Sequence, residues 1–586
     1  MLTKKSTIPP GLPKTTESLC PECLKIIPAT LREDGGKVIM EKSCSKHGKF
    51  KDIVWSDAEM YLRVERWAKD GVGVTNPAIP KAKQCPFDCG LCDLHLSHTG
   101  LANVDLTNRC NLKCPICFAN ANSAGYVFEP DYDTVVKMLK VLRDERPVPT
   151  PAVQFSGGEP TIHPRFLDII KAAHDMGFAQ VQVATNGIEF AKSIDFCQKA
   201  SDAGLNTVYL QFDGLRSEIY KRARGVDLLE TKKKVIENFR KVEHHSSIVF
   251  VPTIVKGVND DQVWPILHYA LENMDVVRGV NFQPVAFTGR ISNEDLEKGR
   301  YTLPDLAKDM ERQSGGKIKK SDWYTVPTVA AISELWMALY GDPKVTLTTH
   351  PHCGIATYMF VKDPDNVVPI TRFVDIEPLF DELYSLAQKT EGKRIKALSK
   401  VKAFNLLKKY MKKDEVPDGM STTQLLKALQ GVLSESTKTE LAKFSWQMMY
   451  VGAMHFMDSY NYDIERVKRC MIHYTTPMAR SSRSVRTTPA RSTGPRWRRS
   501  SPYRWPSGER STGTSTREAV IMPKTELDEL EVDITRCMHC GACVGSCPVN
   551  AIYLNEVILE FNDDCNLCKR CIKVCPVGAI KLVGGK

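Results

Sequence analysis

Between residues 101 and 283 short apolar and β-branched runs recur, with amphipathic stretches between them. The runs cover 101–106, 152–155, 181–184, 207–212, 248–254 and 279–283. Strand runs alternating with helical patterns predict repeated βα units around a parallel sheet, here a partial TIM-type (βα)6 barrel within an α/β fold. Polar and glycine residues follow the runs, as Ser156-Gly157-Gly158-Glu159, Thr185-Asn186-Gly187 and Asp213-Gly214. A βα barrel builds its site at that end of its strands.

Outside this block the pattern changes. Residues 1–16 are rich in Lys, Thr and Pro and read as loose. Asp34-Gly35-Gly36 lies between short apolar runs and predicts a hairpin. Residues 301–340 and 377–469 read as helices without a repeat. Within 393–413 there are nine basic residues and no acid, with Ile395, Leu398, Val401, Phe404, Leu407 and Met411 on one stripe. Such a helix suits an anionic membrane surface; a packed helix with a solvated basic face is the commoner use of the pattern.

The chain has 586 residues, 42% hydrophobic and 25% charged, enough for several domains with at least one large core. No apolar run reaches the roughly 18 residues of a spanning helix, and no charged-then-apolar leader follows Met1. A cytoplasmic protein is expected. The net charge of +11 is concentrated in residues 478–518, where ten Arg and two Glu give +8. With the basicity confined to one segment, nothing points to a nucleic-acid partner.

Twenty cysteines in short-spaced groups indicate metal ligation in a reducing compartment. Cys20-x2-Cys23 and Cys44-x2-His47 flank the predicted hairpin, a spacing suited to a mononuclear Zn or Fe site of the rubredoxin or zinc-ribbon kind. Two triplets of x3 and x2 spacing follow, Cys85/Cys89/Cys92 and Cys110/Cys114/Cys117. Three thiolates hold three corners of a cubane and leave one iron open. The second triplet directly follows the first barrel strand, where a site belongs, so the first becomes an auxiliary cluster with Cys353 or Cys470 available as fourth ligand. Near the end, Cys537, Cys540, Cys543 and Cys547, then Cys565, Cys568, Cys571 and Cys575, repeat the two-cluster ferredoxin spacing. This segment implies a low-potential electron donor, within the chain or beside it.

The Cys110 triplet, Phe118 after it and the Gly157-Gly158-Glu159 loop together resemble the radical S-adenosylmethionine (SAM) superfamily. The resemblance implies that the open iron chelates SAM and that the cluster cleaves it to a 5'-deoxyadenosyl radical. It places Cys110, Cys114 and Cys117 on the cluster, Gly157, Gly158 and Glu159 at the SAM amino group, Ile116 near the adenine, and Asn186 and Asp213 near the ribose and methionine. The order of all the cysteine groups from Cys20 to Cys353 further resembles the archaeal tetraether lipid synthases, which implies carbon-carbon coupling of isoprenoid chains and a lipid substrate. Related radical SAM proteins methylate a pterin precursor of methanopterin, the alternative reading, and no Asp-x-His-x-x-Gly cobalamin motif is present. A non-catalytic electron-transfer protein is the third reading, against which the intact Gly-Gly-Glu loop counts.

Residues 478–518 contain no Ile, Leu or Lys and read as a linker. Back-translated and shifted by one nucleotide, 478–490 become compatible with Asp-Gly-Thr-Ile-Ile-Pro-Phe-Cys-Thr-Tyr-Asn-Thr-Gly, with the regained cysteine overlapping Ser484 and Val485. A frameshift near Pro477 is therefore expected, and Met522 then starts a separate reading frame. The expected organisation is a metal knuckle over 1–75, an auxiliary cluster segment over 76–100 and the radical SAM core over 101–290. A helical extension over 291–477, the linker over 478–521 and a small α+β ferredoxin domain over 522–586 complete it.

Overall fold

The structure is a computed structural model, and it describes residues 3–88, 91–123, 127–289, 299–393, 396–412, 415 and 448–477. Toward the C-terminus it describes 480–483, 530–532, 552–555, 558–561, 568–569, 571–572 and 580–582.

Six parallel strands form the centre of the main sheet in chain order: Leu101–Thr107, Ala152–Gly157, Gln180–Thr185, Thr207–Leu210, Ser247–Phe250 and Val277–Pro284. Their residues alternate: one face is apolar and packs on the helices, and the other carries polar side chains such as Asn103, Asp105, Gln154 and Gln182, which hydrogen-bond from strand to strand. Val104, Val153, Val183, Val208, Ile248 and Val280 are all fully buried. The helices follow the strands as the sequence predicts. Tyr132–Arg143 begins on Asp131, whose carboxylate accepts from the Thr134 N–H at 2.8 Å, and ends with Lys140 and Arg143 in the last turn, where cations suit the helix dipole.

The sheet continues past both ends of the six. Met448–Met454 lies parallel beside Val277–Pro284, and Ile472–Thr476 lies parallel beside Leu101–Thr107. Gly354–Asp363 then adds antiparallel to Met448–Met454. The extension over 291–477 is thus mixed where a helical one was expected, and within the stretch 377–469 read as helix Met448–Met454 is a strand. Runs such as Met448-Met-Tyr-Val-Gly-Ala-Met454 mix Met, Gly and Ala, and give no clear two-residue period. Its helices include Leu303–Gln313, Ala330–Tyr340, Ile376–Thr390 and Ala397–Lys409.

Two further expectations are corrected. The basic helix Ala397–Lys409 buries Ser399, Ala403 and Leu407 in a core shared with Leu379 and Leu383, while Leu398 and Val401 stand 68% and 57% exposed. Leu407 and Met411 of the expected stripe face inward while Leu398 and Val401 do not, and Lys409 pairs with Glu382 at 2.6 Å, so the helix is packed against the protein, the commoner of the two uses expected for it. No helix among the described residues is long and apolar enough to cross a membrane. The N-terminal stretch is also tied down: Lys4–Lys5 pairs with Lys69–Asp70, and the Thr7 backbone N–H donates to Asp70 at 3.0 Å.

The N-terminal unit is a four-stranded antiparallel sheet, Lys14–Leu19, Ile26–Asp34, Lys37–Cys44 and Gly48–Trp55, with the turn at Gly35 and Gly36 as predicted. At the far end of the chain Leu530–Val532 pairs antiparallel with Ile580–Leu582, and Ile552–Asn555 with Ile558–Phe561.

Candidate active site and metal centres

The sulfur atoms of Cys20, Cys23 and Cys44 and a ring nitrogen of His47 lie within 4.8 Å of one another. Tight turns deliver them: the Leu24 N–H donates to the Cys20 carbonyl at 3.0 Å, and Cys44 pairs with Gly48 across a hairpin. Cys23 and Cys44 sulfurs are 3.9 Å apart, and His47 Nδ1 is 3.5 Å from both Cys20 and Cys44. These spacings and this soft donor set fit a tetrahedral mononuclear metal. The Lys46 backbone N–H, with His47, holds the Cys44 thiol down to about 6, whereas burial raises that of Cys20.

Cys110, Cys114 and Cys117 are half-buried on the loop after Leu101–Thr107. Burial pushes the Cys110 thiol up to about 12 and also raises that of Cys114. Thiols held this way suit a site in which bound iron supplies the missing positive charge. The loop is fastened from several sides. Asn122 accepts from the Cys110 N–H at 2.9 Å and donates to the carbonyls of Cys110 and Leu112. Arg224 donates to the Ile116 carbonyl at 2.7 Å, and the Ile116 N–H donates to the Ala223 carbonyl at 3.2 Å.

The glycine pair of Gly157-Gly158-Glu159 lies against the start of the cluster loop. The Gly158 N–H donates to the Thr107 carbonyl at 2.7 Å and the Glu159 N–H to that of Arg109 at 2.9 Å. A Cβ on Gly157 or Gly158 would fall 2.1 Å and 2.0 Å from those two oxygens. The glycines let two backbones meet at the entrance to the cluster loop. Glu159 is buried and turned to protein: it accepts from Thr161 Oγ1 at 2.5 Å, Thr185 Oγ1 at 2.7 Å and the Asn186 N–H at 2.8 Å. Burial raises its pKa and these donors oppose the rise. Its visible work is to join the second and third barrel strands.

Asn186 donates to Asn111 Oδ1 at 2.7 Å and lies 4.0 Å from the Cys110 sulfur. Asp213 is fully buried and holds Arg224 through two contacts of 2.7 Å, so it reaches the loop through Arg224. Sequence reasoning missed Arg224 and Lys232. Lys232 is fully buried, donates to the Asn186 carbonyl, and burial holds its ammonium down to about 8. Both hide in charge runs, Lys221-Arg-Ala-Arg224 and Lys232-Lys-Lys234; helical spacing from Leu229 to Val235, Ile236 and Phe239 was the available sign that Lys232 faces inward.

Around the helix Ile464–Lys468 the structure gathers three other cysteines. Cys85 packs beside Leu19, Met457, Ile464 and Val467. Arg466 donates to the Cys353 sulfur at 3.3 Å, and Cys470 follows the helix with its thiol directed to the Ile472 carbonyl at 3.3 Å. Cys92 is buried in the same segment as Cys85, and Cys89 lies outside the described residues. In the C-terminal segment Cys568 is exposed and Cys571 buried; Cys537, Cys540, Cys543, Cys547, Cys565 and Cys575 lie outside the described residues.

One more residue at this end of the barrel went unread in the sequence. His455 follows Met448–Met454, is buried, and is kept neutral by that burial and by Arg300 and Arg466, its pKa near 3.

Parallel barrel strands, a three-cysteine loop after the first and a Gly-Gly-Glu loop after the second define a radical SAM enzyme. Residues 104–270 match the Radical SAM superfamily, 12–56 the HMPTM N-terminal zinc ribbon domain, and 536–579 the 4Fe-4S dicluster domain. The 7,8-dihydro-6-hydroxymethylpterin dimethyltransferase of Methanocaldococcus jannaschii is 48% identical over 468 residues, 79% of this chain and 91% of the relative. The chain belongs to the radical SAM family that contains this dimethyltransferase. A probable GTP 3',8-cyclase of Thermococcus kodakarensis is 26% identical over 239 residues, 40% of this chain and 73% of the relative. The crystal structure of Streptococcus suis SuiB bound to S-adenosylmethionine aligns at a TM-score of 0.29 and 19% identity, over 37% of this chain and 47% of that one. The enzyme's cofactors are SAM and a 4Fe-4S cluster, with further clusters in the C-terminal segment and a mononuclear metal in the ribbon. Lipid coupling gives way as the leading reading, since the extended similarity is to a pterin dimethyltransferase.

Proposed function

We propose that this enzyme methylates a reduced 6-hydroxymethylpterin by radical SAM chemistry. The observation that carries this reading is the 48% identity to the dimethyltransferase over 91% of that protein's length. When bound, the cluster and SAM supply a carbon radical able to take hydrogen from an unactivated C–H bond.

The chain's own residues have separable tasks in this reading. Cys110, Cys114 and Cys117 supply the cluster thiolates. Arg224 fixes the backbone between the last two of them through the Ile116 carbonyl, and Asp213 fixes Arg224. The Gly157-Gly158-Glu159 backbone ties the second strand to the loop's entrance, and Asn186 closes the same side next to Asn111. Cys85, Cys89 and Cys92 are assigned to an auxiliary cluster with Cys353 as fourth ligand, because the Cys353 sulfur accepts from Arg466 whereas the Cys470 thiol is directed to the Ile472 carbonyl. The C-terminal dicluster segment is assigned as electron source.

The test is anaerobic. Reconstituted protein, SAM and a low-potential reductant are incubated with 7,8-dihydro-6-hydroxymethylpterin or with archaeol phospholipid. A pterin gaining one or two methyl groups together with 5'-deoxyadenosine is expected. Coupled isoprenoid chains with an unchanged pterin would return the assignment to lipid synthesis.

A further inference from the structure

His455 lies just beyond Met448–Met454, at the barrel end that carries the cluster loop. Its backbone is gripped twice: its N–H donates to the Cys353 carbonyl at 3.0 Å, and Arg466 donates to its carbonyl at 2.7 Å. Its ring donates to the backbone carbonyl of Val285. With one ring nitrogen engaged by that carbonyl, the other is left to find its partner elsewhere. That atom, Nε2, is buried and has no hydrogen-bond partner among the described residues.

Two short connections join this histidine to the cluster loop. Phe456, the next residue, packs its ring 5.4 Å from that of Phe118, which follows Cys117. Val285, which holds the imidazole, opens a segment ending at Gly289, where φ is +70° and a Cβ would fall 2.2 Å from the Cys117 carbonyl. Val285 and Phe287 pack with Val255 and Tyr460 into an apolar, partly aromatic patch. His352 also has a buried nitrogen without a partner, but its ring is stacked on Tyr61 at 3.5 Å, in contact with the N-terminal unit.

Buried acceptors without a donor are uncommon in folded proteins, and each asks what satisfies it. We propose that Nε2 of His455 accepts a hydrogen bond from a ring N–H of the bound pterin, making His455 a substrate-binding residue. This rests on the methyltransferase reading. The substrate class suits the place: a flat heterocycle presents N–H donors at its edge and an apolar face to aromatic and aliphatic side chains.

The experiment is anaerobic equilibrium dialysis of the reconstituted full chain against 7,8-dihydro-6-hydroxymethylpterin, for wild type, His455→Ala and His455→Gln. Loss of one hydrogen bond to a neutral group weakens binding roughly tenfold, the result expected for His455→Ala. His455→Gln, which keeps an acceptor at similar reach, recovers most of the affinity. Iron and zinc contents measured on the same samples report whether the metal centres are intact. Should His455→Ala lose iron, His455→Gln is compared with His455→Asn: affinity kept by Gln and lost with the shorter Asn supports the proposal, and equal affinities overturn it. Equal binding by wild type and His455→Ala with iron retained overturns it while the methyltransferase reading stands. A wild type that does not bind the pterin overturns both.

Discussion

Arg224 and Asp213 form a buried ion pair, 2.7 Å at both the Nε and Nη2 contacts, and the remaining guanidinium nitrogen reaches the Ile116 carbonyl between Cys114 and Cys117. One arginine thus couples the fourth barrel strand to the backbone of the cluster loop. Removing one partner leaves an uncompensated buried charge, a loss of about 3–5 kcal/mol. Arg224→Met should therefore lower the unfolding midpoint of the metal-free protein and reduce iron retained after reconstitution. Asp213→Asn should do the same in smaller measure, since the amide can still accept from Arg224. Wild-type stability and iron content in Arg224→Met would show that the pair does not hold the loop.

Gly158→Ala places a methyl group 2.0 Å from the Arg109 carbonyl oxygen, a contact that backbone must move to relieve. The displacement occurs where the cluster loop begins. A weakened iron–sulfur absorbance and a raised Kd for SAM are expected from titrations of the reconstituted protein, with the zinc of the ribbon retained. Unchanged SAM affinity would place the tight backbone crossing outside the cofactor's support.

Metal in the N-terminal ribbon should be acid-labile. The Cys44 pKa is depressed to about 6, so its thiolate dominates above that value. Ligands must be deprotonated to bind, so protons compete with the metal below about 6 and the stability that metal binding confers declines as pH falls from there. Zinc content after dialysis against a weak chelator at a series of pH values checks this. Retention of zinc at pH 5 would argue against it.

Cys353→Ser and Cys470→Ser separate the two candidates for the auxiliary cluster. The first should lose one cluster's worth of iron and simplify the electron paramagnetic resonance spectrum of the reduced protein. The second should leave both unchanged, because its thiol donates to the Ile472 carbonyl. The opposite pattern would reassign the ligand.

For residues 478–518 the expectation is made at the gene. Accurate sequencing across the codon for Pro477 should reveal a reading frame that continues in the alternative register. An uninterrupted frame there would establish the arginine-rich segment as genuine protein.

The barrel was legible because each strand places an apolar residue at every second position toward the helices and a polar or glycine turn follows it, and the metal groups because thiolate chemistry fixes cysteine spacing. What escaped is longer in range. Arg224 and Lys232 look like solvated charges until folding sets them against Asp213 and the Asn186 carbonyl. Gly157 and Gly158 announced a close approach without saying to what, and the answer is Thr107 and Arg109. In the basic helix the stripe was read correctly at Leu407 and Met411 and wrongly at Leu398 and Val401, because packing against Leu379 and Leu383 turns the small Ser399 and Ala403 inward in their place. Histidine in a Met- and Gly-rich run such as that before His455 carries no periodic signal at all.

The parallel pairing of Ile472–Thr476 with Leu101–Thr107 also bears on how the enzyme is made. A ribosome must add more than 360 residues after the first barrel strand before its outer neighbour exists. Until then that strand presents an open hydrogen-bonding edge next to the cysteines that take up iron. Cluster insertion and completion of the sheet therefore become late, linked events, and chains released before Ile472 should be substrates for chaperones and proteases and not slower enzymes.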